Sequence, residues 1–178
     1  MNKKLIQQFA NMQSIFSMPG DNLNLWKIYL KKINCKSIPQ NLWIGEGTKI
    51  ENNGVLEFNE NLSLGYSCSV INWGTITIGE SFLGSNFISI NSGDHDKNTL
   101  MPKKTKIEIG KRVFCGTNVT IIGNTKIGND CVIAAGSVVK GDFPHKSLIY
   151  GNPAKSKLIP HRKSNIWEWH KKHNEKKS

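Results

Sequence analysis

The chain has no long apolar run, no paired-cysteine spacing and few carboxylates for its length. Its best uncharged apolar stretch, Val132 to Val139, falls far short of the roughly 18 apolar residues a membrane-spanning helix needs. At the start, Leu5 and Ile6 give way at once to Gln7 and Gln8, so the apolar core of a secretory signal is missing and a cytoplasmic location is expected. Cys35, Cys68, Cys115 and Cys131 form no CxxC pair and have no histidine at zinc-ligand spacing. Neither a metal site nor a disulfide framework is expected, and the four read as small buried hydrophobes. A length of 178 residues supports one well-buried core and excludes a multidomain enzyme.

Acidic residues number 13 against 24 Lys and Arg, a formal charge of +11 that favours an anionic partner such as a nucleotide, a polyanion or a membrane surface. The excess is uneven. Lys155, Lys157, Arg162, Lys163, Lys171, Lys172, Lys176 and Lys177 crowd residues 155–178, which read as a basic tail with a short helix around Ile166, Trp167 and Trp169. Such a tail suits peripheral contact with an anionic membrane or polymer. No aromatic–basic RNA motif or helix-turn-helix accompanies it, so nucleic acid is not an expected partner.

Residues 1–40 read as a helical cap. Leu5, Phe9, Met12 and Phe16 share one helix face, as do Leu23, Trp26, Leu30 and Ile33, with Pro19-Gly20 between the pieces and Asp21 or Asn22 as a cap for the second. Pro39 closes the region.

From Ile44 the periodicity changes to six. Ile109, Cys115, Ile121, Ile127, Ile133 and Val139 each stand six positions after the last, and Val113, Val119, Thr125, Cys131, Ser137 and Phe143 each follow by four. Small residues such as Gly110, Gly116, Gly128 and Ala134 come directly after. The pattern recurs more loosely at Ile44, Ile50, Phe58, Leu64, Val70, Ile76, Ile78, Gly84 and Ile90, with two-residue slips between runs. A six-residue unit with one inward apolar residue and one small corner residue is a short strand plus a turn. Three units make a triangular coil that must stack on its neighbours to bury its interior. About five coils are expected over residues 41–154, interrupted by one protruding loop, 91–106, which holds the only histidine inside the repeat, His95.

These hexads, the Gly93-Asp94-His95-Asp96 loop, and Ile133-Ala134-Ala135-Gly136-Ser137-Val138-Val139 running into Gly151-Asn152-Pro153-Ala154-Lys155 resemble the hexapeptide-repeat acetyltransferases. The similarity is strongest to the branch that acetylates galactosides, maltose, xenobiotics and polysaccharides. The resemblance implies a mainly β fold, a left-handed parallel β-helix with an N-terminal helical segment and a C-terminal helical tail. It also implies a homotrimer with active sites at subunit interfaces, and acetyl-CoA as donor with no metal. In such enzymes a histidine takes the proton of the acceptor hydroxyl as that oxygen attacks the thioester. An imidazole, which titrates near 6.5 when unperturbed, suits that role.

By loop position His95 matches the family base. Gly116, Thr117 and Ala135 match positions lining the pantetheine and thioester, and Lys140 and Lys155 match positions near the nucleotide phosphates. Asp94 and Asp96 flank the base, and either could orient it or contact the acceptor. Asn72 and Trp73 fall near acceptor-binding positions, suited to hydrogen bonding sugar hydroxyls and stacking on a sugar ring. Phe114 stands where many relatives have Trp.

The expected activity is O-acetylation of a carbohydrate hydroxyl in surface polysaccharide biosynthesis or modification. Acetylation of an amino sugar, an antibiotic or serine would use the same groove. A zinc carbonic anhydrase on the same prism would need three histidines from neighbouring strands, against one here. A noncatalytic β-helix scaffold carrying a basic tail is the alternative outside enzymology.

Overall fold

A computed structural model describes residues 23–159. The first helical piece, the Asp21 or Asn22 cap of the second and the helix around Trp167 lie outside the described residues. Helix α1 spans Leu23–Lys32 and buries Leu25, Trp26 and Leu30. Leu23 is exposed and Leu25 is buried in its place, while Ile33 packs partly buried against the core. The helix ends before Pro39 can act: Asn34 takes a left-handed conformation at φ 55°, and the Cys35 N–H closes on the Leu30 carbonyl. Tyr29 Oη donates to the Ile50 carbonyl at 2.6 Å, which seats α1 on the first coil.

The first coil is β1 (Leu42–Ile44), β2 (Lys49–Asn52) and β3 (Val55–Phe58); the second is β4 (Leu62–Leu64), β5 (Ser69–Asn72) and β6 (Thr75–Ile78). The third runs β7 (Phe82–Gly84), β8 (Ser89–Asn91), a hairpin of β9 (Gly93–His95) and β10 (Pro102–Lys104), then β11 (Lys106–Ile109). The fourth is β12 (Phe114–Cys115) and β13 (Thr120–Ile127), the fifth β14 (Val132–Ile133) and β15 (Val138–Phe143), followed by β16 (Ser147–Gly151) and β17 (Ala154–Leu158).

Stacking is parallel and sorts the strands into three faces. One face is β1-β4-β7-β12-β14-β16, with β17 added antiparallel at its end. A second is β2-β5-β8 with the first half of β13, and a third is β3-β6-β11 with its second half. β15 lies beside both halves of β13. The expected β-solenoid of about five turns is therefore the fold.

Every residue of the two hexad sets points inward: Ile109, Cys115, Ile121, Ile127, Ile133 and Val139 are at most 3% exposed, and the companion set from Val113 to Phe143 at most 7%. Chain ladders such as Ile44–Leu64 and Gly84–Cys115–Ile133–Ile149 stack like on like from coil to coil. Gly84 makes room in its ladder for Phe82 and Ile88, whose side chains occupy the space a Cβ there would need.

The slips in the hexad rhythm have one location. Between the second and third faces, the inward residues are Ile50 and Leu56, Val70 and Ile76, Ile90 and Ile107, Ile121 and Thr125, then Val139 and Gly141. That corner therefore spans six, six, 17, four and two residues in successive coils. The other two corners keep to six, as in Ile44 to Ile50 and Ile127 to Ile133. All the length variation, the hairpin included, is thus confined to one edge of the prism.

The small corner residues do a different job from the one expected of a turn glycine. Left-handed φ falls two positions later, at Arg112, Asn118, Asp130 and Gly136. Gly116 is required for close approach: a Cβ there would stand 2.7 Å from the Ala135 nitrogen of the next coil. At the C-terminal end the expected tail boundary at residue 155 runs through β17, so the first basic residues of that segment are a strand paired with β16.

Candidate functional site

The segment expected as a loop, 91–106, is a short antiparallel hairpin with His95 opposite Pro102 and Asp94 opposite Lys103. Its turn is built by Asp96, whose Oδ1 accepts the Asn98 and Thr99 N–H groups at 3.0 and 2.9 Å and the Thr99 hydroxyl at 3.0 Å. The Asp96 N–H reaches the Met101 carbonyl and the Leu100 N–H the Asp96 carbonyl. Those donors hold the Asp96 carboxyl below its ordinary range, the Thr99 amide contributing most. Asp96 Oδ1 thereby builds the turn.

The hairpin neck is clamped from inside. Both the Thr105 N–H and its hydroxyl donate to the Ser92 carbonyl, at 2.9 and 2.7 Å. The Ser92 hydroxyl donates to Asn72 Oδ1 at 2.6 Å and accepts the Trp73 and Gly74 N–H groups at 3.0 Å. Asn72 Nδ2 donates in turn to Asn52 Oδ1 at 2.7 Å, and Asn52 Nδ2 to the Ile33 carbonyl at the end of α1. A buried polar string therefore runs from the helix cap to the neck. Asn72 is fully buried with both ends of its amide hydrogen-bonded within the fold. Ser92 and Asn52, which the hexad pattern left unmarked, are its partners, and Thr105 joins the string through the Ser92 carbonyl. The recurrence of Asn at 52 and 72, one coil apart, was the available signal.

Trp73, the next residue in that corner, is 47% exposed and packs beside the hairpin base, its Cδ1 about 3.5 Å from where a Gly93 Cβ would be. His95 ends β9 as an exposed residue, its backbone N–H donating to Asp94 Oδ1 at 2.8 Å. Asp94 Oδ2 accepts from Lys140 Nζ at 3.3 Å. The His95 amide first, and Lys140 second, hold the Asp94 carboxyl below its ordinary value. Lys140, expected at the cofactor phosphates, is thus in contact with Asp94 of the hairpin.

The remaining expected residues sit one face away. Gly116, Thr117 and Ala135 stack in the corner before β13 and β15, where the Gly136 N–H donates to the Thr117 carbonyl at 2.9 Å. The Gly116 N–H is taken by the Ile133 carbonyl. Lys155, on β17, pairs in register with Tyr150, and Lys157 lies over the Tyr150 ring at 5.9 Å. The structure joins Lys140 to Asp94 and Asp94 to the His95 amide, sets Trp73 against Gly93 at the base of the same hairpin, and stacks Gly116, Thr117 and Ala135 separately, with the second face between the two groups. The second histidine of the described residues, His145, accepts the Asn129 N–H on Nδ1 at 2.8 Å and braces a different corner.

Among the described residues no group of three or more His, Cys, Asp or Glu is placed to hold a metal ion, and no helix is long and apolar enough to cross a membrane. Residues 106–141 match the family model described as bacterial transferase hexapeptide (six repeats). Over 158 residues the chain is 27% identical to an Escherichia coli K12 protein named for lipopolysaccharide biosynthesis O-acetyl transfer, WbbJ, covering 79% of this chain and 80% of that one. A maltose O-acetyltransferase from Clostridium difficile 630 has the same fold, with TM-score 0.61, 22% identity and coverage of 90% of this chain and 84% of that one. So does a galactoside acetyltransferase solved with coenzyme A, with TM-score 0.53, 20% identity and coverage of 89% and 78%. The repeat at residues 106–141 and the acetyltransferase relatives together mark the chain as an acyltransferase built on a β-solenoid.

Proposed function

We propose that the chain transfers acetyl from acetyl-CoA to a carbohydrate hydroxyl, in making or modifying a surface polysaccharide, with His95 as general base. One observation carries the reading: the long interruption of the solenoid is a clamped hairpin that presents an exposed histidine, with an exposed tryptophan packed at the hairpin's base. The relatives named for lipopolysaccharide, maltose and galactoside acetylation support the acceptor class, and the coenzyme A complex of the last supports the donor.

In this reading the acceptor hydroxyl lies against Trp73 and within reach of the His95 imidazole. His95 takes the hydroxyl proton as the oxygen bonds to the thioester carbonyl carbon; the C–S bond then breaks, and the imidazolium returns the proton to the departing thiolate of CoA. Base catalysis of this kind is worth about 10² to 10⁴ in rate. Thr117 and Ala135, exposed where Gly116 lets two coils close up, offer a smooth edge for the pantetheine arm. Lys155 meets the phosphates.

Within one chain the hairpin and that edge stand on different corners of the prism. A groove shared by neighbouring copies, the edge of one facing the hairpin of the next, completes the site, and a homotrimer closes the arrangement. The test is release of free thiol from acetyl-CoA over a panel of sugars, polysaccharides, amino sugars and antibiotics, with His95→Ala as control. Turnover with carbohydrate hydroxyls, lost by about 10²-fold or more in His95→Ala while CoA binding stays near normal, is the expected result. An unchanged rate removes His95 from the mechanism.

A further inference from the structure

We propose that Lys140 is a positioning residue: through Asp94 it fixes the backbone of His95 and so aims the imidazole, rather than binding the phosphates of the donor. The inference deepens the function proposed above and rests on it.

The geometry starts from the variable edge. On the second face, Ile122 of β13 lies beside Asn91 of β8, and Lys140 follows Val139, which lies beside Ile121. Lys140 therefore stands two coils below the strand that leads into the hairpin, a drop of about 10 Å at the usual interstrand spacing. At the level of β8 the edge carries the whole hairpin, but at the level of β15 Lys140 alone separates Val139 from Gly141. The corner is cut back under the hairpin, and the hairpin leans over the bevel far enough for a lysine to reach its base.

The contact is a three-part chain. Lys140 Nζ is 3.3 Å from Asp94 Oδ2, and Asp94 Oδ1 accepts the His95 N–H at 2.8 Å. One carboxylate thus joins a cation on the prism to the peptide that carries the base. Lys103 also faces Asp94, directly across the hairpin, but it moves with the hairpin and cannot anchor it. Asp96 Oδ1 accepts three bonds within the turn, and neither Lys140 nor the His95 N–H is among its partners. Lys140 is the tie between this carboxylate and another element of the fold.

An exposed ion pair is a weak restraint, and its loss in Lys140→Met is expected to lower kcat by only about two- to fivefold. The informative readouts are the ones a phosphate contact would move differently. In Lys140→Met, KM for acetyl-CoA should stay within about twofold of the parent, hydrogen exchange at the His95 amide should accelerate, and Lys140→Arg should restore both kcat and exchange. Asp94→Asn should reproduce the loss, and the double variant should be no worse than either single one. The inference is overturned if Lys140→Met raises KM for acetyl-CoA several-fold with kcat and His95 exchange unchanged, since Lys140 would then be a phosphate ligand. It is equally overturned if the Lys140 and Asp94 losses multiply. The amide exchange requires no turnover, so it separates this inference from the assignment of His95 as base: a silent His95→Ala with the exchange effect intact refutes only the latter.

Discussion

Replacing Asn72 by Ala distinguishes a structural string from a substrate contact. The amide is fully buried and makes two side-chain hydrogen bonds, to Asn52 Oδ1 at 2.7 Å and from Ser92 Oγ at 2.6 Å. Each such bond is worth about 1 kcal/mol net, and a Ser92 hydroxyl proton left without its acceptor adds a desolvation penalty of about 1 kcal/mol or more. Asn52 Oδ1 keeps the Gly54 N–H, so its loss is smaller. A destabilisation of about 2–3 kcal/mol follows, and for a chain of this length about 2–4 °C in Tm per kcal/mol gives a fall of about 4–12 °C. Thermal unfolding followed by circular dichroism, at fixed protein concentration because an oligomer shifts its Tm with concentration, measures it. A cycle with Ser92→Ala should show coupling of at least about 0.5 kcal/mol, because the two groups share a bond. Asn72→Ala with an unchanged Tm and a raised KM for the sugar would refute the reasoning and return Asn72 to the acceptor site.

Two further outcomes follow from local geometry. Gly116→Ala pushes a methyl to 2.7 Å from the backbone nitrogen of Ala135, and neither rung can yield without breaking its ladder, so a loss of about 1–3 kcal/mol is expected in the same unfolding experiment. For Asp94, the folded state depresses the carboxyl pKa, so the stabilisation of its contacts is complete above the ordinary value of 3.8 and is lost as pH falls through the lower folded one. An NMR titration of the Asp94 carboxyl should give a midpoint below 3.8, and a midpoint at or above that value would contradict the contacts to His95 and Lys140.

The hexad arithmetic foretold the core because each face spends its inward positions on apolar residues, and burial leaves no freedom in the matter: Val113, Val119 and Cys131 could be placed by counting alone. The same count concealed the tapering edge. Ile121, Thr125 and Ile127 are spaced four and then two, which sums to another six and passes for an ordinary unit. The hydrogen bonds of Asn72 were hidden because its two partners lie 20 residues away on either side. The contact of Lys140 with Asp94 was hidden for the converse reason. Its position in the repeat says which face it is on but not that a hairpin two coils above bends over it. β17 was absorbed into the tail since a strand exposed along most of its length and rich in lysine carries no inward alternation to mark it.

β17 also decides what can lie beyond it. A solenoid is in principle endless, because each finished turn offers the next one an identical row of donors and acceptors. Ala154–Leu158 reverses the chain direction on the last rung and lines it with Lys155 and Lys157, so another molecule seeking to continue the spiral there meets a strand of the wrong polarity carrying like charge. On this face the stack of parallel rungs stops at β16.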